Sequence, residues 1–109
     1  MEANAETGEW RGRRGYNWTG SFWVGLLWRL HDRTNDARFR DWAQAWNAPM
    51  LGQEGEQNHD TGFLNYYASA FSYDRTKDAK YRESALRSAA RLQEMFHPAV
   101  GLVLSLIHI

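Results

Sequence analysis

A chain of 109 residues, 43 % apolar and 15 % aromatic with six tryptophans, is one globular domain or part of a larger one rather than a disordered polymer. Thirteen basic residues balance thirteen acidic ones, which removes the electrostatic case for nucleic acid or an anionic membrane as partner. With no cysteine there is no disulfide framework and no thiolate chemistry, and no apolar run approaches the ~20 residues that cross a bilayer.

Residues 1 to 17 are polar and glycine-rich and read as a loop or arm. Met1 to Gly8 has no signal-peptide pattern; the compartment stays open, with a cytoplasmic setting favoured. From Thr19 to about Arg33 the pattern turns helical: Phe22, Trp23, Leu26, Leu27 and Leu30 form an i, i+4 stripe that Val24 and Trp28 broaden. A helix apolar over most of its circumference requires burial on several sides. Asp36 then stands as N-cap to a second helix carrying Phe39, Trp42 and Trp46 on one face, and Pro49 ends it. Leu51 to Asn58 is a loop with Gly52 and Gly55. A third helix starts at Thr61 and holds Phe63, Leu64, Tyr66, Tyr67, Ala70 and Phe71. Asp78 opens a fourth, with the ridge Tyr81, Ala85, Ala89, Leu92 and Phe96; its small residues allow a neighbour to approach closely, and Pro98 and Gly101 stop it.

These elements repeat. Arg33-Thr34-Asn35-Asp36-Ala37-Arg38-Phe39-Arg40-Asp41 recurs as Arg75-Thr76-Lys77-Asp78-Ala79-Lys80-Tyr81-Arg82-Glu83, a shift of 42 positions that also lays Thr19-Gly20 on Thr61-Gly62. The unit is a buried helix, a short turn with an aspartate cap, and an amphipathic helix. One such hairpin cannot bury its apolar face alone, whereas stacked copies can. The expected fold is all-α: two helical hairpins of a partial α/α toroid or a solenoid, with the apolar helices inside and the one-sided helices outside. Trp18 and Asp60 are then equivalent positions, each just before an inner helix and both on the same rim.

Asp60, in Asn58-His59-Asp60-Thr61-Gly62-Phe63-Leu64, has a plain role open to it as a helix cap. At a helix N-terminus a carboxylate is favoured in its ionised form, which suits a base or a hydrogen-bond acceptor. Trp18 could be core, or at a rim a platform for a sugar ring. His59 alone reads as a loop residue. His31-Asp32 with His59-Asp60 resembles the ligand order of helical HD-type phosphohydrolases. His31, however, falls at the far end of its helix from the level of Asp60, so no metal site is expected.

Trp18-Thr19-Gly20-Ser21-Phe22-Trp23-Val24-Gly25-Leu26-Leu27-Trp28 resembles the first inner helix of the unsaturated glucuronyl hydrolases, glycoside hydrolase family 88. His59-Asp60-Thr61-Gly62-Phe63-Leu64 is similar to that family's His-Asp-x-Gly-Phe segment, and His97-Pro98-Ala99-Val100-Gly101 also fits. The resemblance implies a six-hairpin α/α barrel acting on an unsaturated uronic-acid oligosaccharide by hydration of its C4=C5 bond, without metal or organic cofactor. Carried onto this chain, it makes Asp60 one of two active-site aspartates and Trp18 a pocket tryptophan, with His59 beside them as a substrate-binding residue. The second aspartate is expected beyond this chain, and the piece by itself is expected to be inactive. Gly20-Ser21 departs from the family's usual Asp-Gly or Ser-Gly, which leaves substrate preference open. An unsaturated rhamnogalacturonyl hydrolase and a non-catalytic helical-repeat binding module are the alternatives. Residues 104–109 match nothing in the family and read as a non-native tail, leaving 1–103 as the N-terminal fragment of the barrel domain.

Overall fold

The structure, a computed structural model, describes residues 2–8, 10–11, 18–54 and 60–103. Helices dominate it. Strands β1 (Glu2–Ala3) and β2 (Trp10–Arg11) pair antiparallel within the stretch expected as an irregular arm. Then come α1 (Trp18–Thr34), α2 (Ala37–Asn47) and a 3-10 turn, Ala48–Met50, that contains Pro49. The second half holds α3 (Thr61–Asn65), a π-helical turn (Tyr66–Ala70), α4 (Phe71–Thr76) and α5 (Ala79–Glu94). Strands β3 (Phe96–His97) and β4 (Leu102–Val103) close the described chain as a small antiparallel hairpin turning at Gly101, whose φ is +67°. The fold is all-α, as the hydrophobic spacing predicts.

The repeat is reproduced bond for bond at the hairpin turns. Thr34 Oγ1 donates to the Leu30 carbonyl at 2.7 Å and Thr76 Oγ1 to that of Ser72 at 2.8 Å. Each hydroxyl then accepts the aspartate N–H two residues on, at 3.2 Å in both copies. Asn35 and Lys77 adopt left-handed φ values of +55° and +57°, the conformation that terminates a helix and reverses the chain. Asp36 and Asp78 follow in extended geometry, each carboxylate accepting the N–H two residues on.

Contacts between the hairpins fix their relative direction. Ser21 of α1 donates to the Leu64 carbonyl, Trp28 Nε1 donates to Ser72 Oγ at 2.9 Å, and Asp32 binds Arg75. Partners advance together along both chains, so α1 and the run α3–π–α4 are parallel. Against α5 the order reverses, since Ser88 donates to the Thr61 carbonyl while Ser84 meets Ser69. The continuous core is Val24, Leu27, Trp28, Ala43, Met50, Leu64 and Ala68, flanked by Phe39, Trp46 and Phe71. Burying each large apolar side chain here contributes about 1.5–3 kcal/mol.

Several buried faces differ from the apolar pattern. On α1 the broadening residues Val24 and Trp28 are the core, with Leu27, while Phe22, Trp23 and Leu26 are 41–50 % exposed. On α2 Ala43 and Asn47 are buried and Trp42 stands out at 48 % exposure. On α5 the face is Tyr81, Ser84 and Ser88 rather than the expected alanine ridge, because the serine hydroxyls bond the facing helix. The π turn breaks the repeat: Val24 is fully buried, whereas its equivalent Tyr66 is 58 % exposed. Within that turn the Ala68 carbonyl accepts both Asn47 Nδ2 at 3.2 Å and Ser72 Oγ at 2.6 Å.

Candidate functional site at the start of α3

Asp60 lies immediately before α3 with φ −72° and ψ −9°, and its carbonyl accepts the Leu64 N–H at 2.8 Å. Its carboxylate makes no capping bond to the first turn. The reason is conformational: Asp36 and Asp78 cap from extended backbone, which folds the side chain back over the turn, whereas Asp60 is itself in helical geometry. The plain role of a cap is therefore not the one Asp60 fills, and the side chain is half-buried.

What anchors this helix start is the residue after it. Thr61 is fully buried; its hydroxyl donates to the Glu54 carbonyl at 2.9 Å. Its own carbonyl accepts Ser88 Oγ at 2.8 Å and Asn65 Nδ2 at 2.9 Å. At Gly62 a Cβ would run into Leu92 Cδ1, the end of a flexible side chain, so a larger residue there obliges Leu92 to shift.

Glu54 is the residue that sequence reasoning missed. It sits in the stretch expected as a plain loop, yet it is 3 % exposed and its carboxylate is shared among three donors. Ser84 donates its hydroxyl to Oε1, Arg87 reaches both oxygens at 3.3 Å, and the Gly52 N–H donates at 3.1 Å. Burial pushes the Glu54 carboxyl up, but the Ser84, Arg87 and backbone hydrogen bonds outweigh it and hold the group below its ordinary range. Among the available signals, the i, i+3, i+4 alternation of Ser84, Arg87 and Ser88 marks a polar inward face that the apolar count passed over. A cleft of about 370 Å³ adjoins Glu54, lined also by Gly52, Arg87, Ala90, Arg91 and Glu94. Two guanidinium groups and two carboxylates balance its charge, and Asp60 does not line it.

The other expected site residues are placed as follows. Trp18 is the first residue of α1, so it and Asp60 stand at the same end of parallel neighbouring helices; its side chain lies outside the described residues. His59 lies outside the described residues altogether. His31 is near the opposite end of α1, edge-on to Trp28 at 5.9 Å. Its neighbour Asp32 is engaged by Arg75, whose Nε and Nη2 donate at 3.0 and 2.7 Å, and this pairing lowers the acid's pKa. Asp32 and Asp60 thus sit at opposite ends of the parallel helices.

These features define an all-α protein of two packed helical hairpins with a carboxylate just before one of two parallel helices. Comparison with known proteins gives two similarities. The chain is 30 % identical over 76 residues to an unsaturated glucuronyl hydrolase of Formosa agariphila, a match covering 69 % of this chain and 19 % of that protein. It is 29 % identical over 91 residues to an unsaturated glucuronyl hydrolase of a Bacillus species, covering 80 % of this chain and 24 % of that protein. The chain therefore spans about a fifth to a quarter of the length of these curated relatives. No family model matches it, and no solved structure matches.

Proposed function

We propose that this chain is a segment of an unsaturated glucuronyl hydrolase, its two units forming consecutive hairpins of an α/α toroid with Asp60 at the mouth. The observation that carries this reading is the setting of Asp60. It is an acid at the amino end of an inner helix, level with the start of its parallel neighbour and not used as that helix's cap. The two relatives that bear this enzyme name support it.

In the proposed reaction a carboxyl group protonates C4 of the terminal enol ether and water adds its hydroxyl at C5. The hemiketal so formed opens, releasing the unsaturated residue as a keto-uronate and freeing the remaining sugar. Asp60 accepts hydrogen bonds from sugar hydroxyls. As a second negative charge, it also raises the proton affinity of the partner acid, which keeps that acid protonated near neutral pH. That partner lies outside this segment. Trp18 offers an indole face to the sugar ring, whose C–H groups stack on it, and His59 contacts the same substrate. The chemistry calls for no metal or organic cofactor.

The test is the ultraviolet absorbance of an unsaturated uronic-acid disaccharide incubated with the full-length protein that carries this segment. Loss of absorbance with glucuronyl-type substrates is the expected result. Loss with rhamnose-linked substrates alone would make it an unsaturated rhamnogalacturonyl hydrolase instead. Stable absorbance with every uronide would leave a helical-repeat binding module.

A further inference from the structure

We propose that Glu54 is a positioning residue for this site: it touches no substrate and holds Asp60 in place at the mouth. The proposal rests on the enzymatic reading above and deepens it.

The start of α3 is fixed from outside. The helix is five residues long and runs directly into the π turn, and the Asp60 carboxylate makes no capping bond to its first turn. A helix this short is marginal by itself, so the direction of the acid depends on what fixes the backbone beside it. That task falls on Thr61. Its hydroxyl donates to the Glu54 carbonyl at 2.9 Å, and its carbonyl accepts Ser88 Oγ at 2.8 Å. One tie runs to the loop and the other to α5. The loop tie is only as firm as Glu54.

Glu54 is 3 % exposed and bonded at both ends. Its carbonyl takes Thr61, while its carboxylate accepts from Ser84 and Arg87 of α5 and from the Gly52 N–H. Ser84 lies about one turn before Ser88, so the loop and the helix start are pinned to α5 at adjacent turns. The Ser84 hydrogen is committed to Glu54, because Ser69 of the π turn donates to Ser84 Oγ at 2.9 Å. This buried chain ends on a group that must accept, and an ionised carboxylate only accepts. Those bonds occupy the carboxylate, and Asp60 does not line the cleft beside it, so Glu54 is no second acid for the substrate. What it reaches is the residue next to Asp60. A displacement of about 1 Å at a reacting group costs on the order of 100-fold in rate.

Steady-state kinetics of the full-length protein that carries this segment, on an unsaturated uronic-acid disaccharide, test this. Two substitutions cut the tie at different points. Glu54→Ala removes its anchor on α5, and Thr61→Val removes the hydroxyl that joins it to α3. Each is expected to lower kcat about tenfold or more, and Glu54→Gln, which keeps an acceptor for Ser84, to recover part of the loss. The alkaline limb of the kcat–pH profile moves to lower pH, as Asp60 withdraws from the partner acid whose proton affinity it raises. In an Asp60→Asn background the same substitutions cost less than about twofold further, because nothing is left to position. A merely structural role would cost the same factor in both backgrounds. Circular dichroism identifies the variants that fold, and Thr61→Val carries the test if Glu54→Ala does not. Absence of turnover by the wild type would overturn the enzymatic reading and this proposal with it. Wild-type turnover with folded variants that match it, that keep its pH profile, or that lose the same factor in both backgrounds would overturn this proposal alone.

Discussion

Glu54→Ala removes a carboxylate that is 3 % exposed and holds the loop before α3 against α5. Truncation deprives the buried Ser84 hydroxyl of its acceptor and the Gly52 N–H of its own, while Arg87, 51 % exposed, is returned to water. A buried hydrogen bond to a charged group contributes about 1.5–3 kcal/mol, and the half-exposed Arg87 pair adds no more than about 1 kcal/mol. The expected loss is therefore about 3 kcal/mol. For a domain of this size each kcal/mol moves the thermal midpoint by about 4 °C, giving a fall of about 12 °C by circular dichroism. Glu54→Gln keeps the volume and one acceptor and should lose roughly half as much. The pH dependence has a definite sign. The folded carboxyl is held below its ordinary range, so its contribution is complete above the unfolded value of about 4.3 and is lost as pH falls through the lower folded value. The gap between wild type and Glu54→Gln should narrow on acidification below about pH 4. A Glu54→Ala protein within about 0.5 kcal/mol of wild type, or a gap that widens in acid, would refute the reasoning.

Further outcomes follow from the same packing. Gly62→Ala gains up to ~1 kcal/mol of helix propensity, offset by the shift its Cβ forces on the end of the Leu92 side chain, and net stability should stay within about 1 kcal/mol of wild type. Combining it with Leu92→Ala should show a favourable coupling of about 0.5 kcal/mol or more in a denaturant double-mutant cycle. Trp28→Phe loses the indole bond to Ser72 and part of the core, an expected loss of about 2 kcal/mol in urea unfolding. Asp32→Asn weakens the tie between hairpins by less than about 1 kcal/mol at neutral pH, since Asp32 is 37 % exposed and screened. The lowered acid pKa means this difference is present above the unfolded carboxylate range and vanishes as pH falls through the folded value, which unfolding at two pH values measures.

The aspartate-capped turns were legible because they are local. A threonine, a left-handed residue and an aspartate form the same hydrogen bonds wherever they occur, so a repeat in letters became a repeat in bonds. Faces were less legible, because the helices meet through hydroxyls and an amide as much as through hydrocarbon. Ser72 and Asn47 are buried for the bonds they make to Trp28 and Ala68, and no count of apolar residues detects such a partner. The π turn is tertiary in the same sense: Asn47, from another helix, supplies one of the bonds at Ala68. At the candidate site, the sequence marks Asp60 as an acid before a helix. Whether that acid caps the helix depends on a backbone angle that no residue letter encodes.

The central claim is that Asp60 acts on substrate rather than on its helix. Its most direct test is turnover of an unsaturated uronic-acid disaccharide by the Asp60→Asn form of the full-length protein, followed by ultraviolet absorbance. The account predicts a fall in kcat of at least about 100-fold, the scale on which acid–base partners act. Turnover equal to wild type would contradict it.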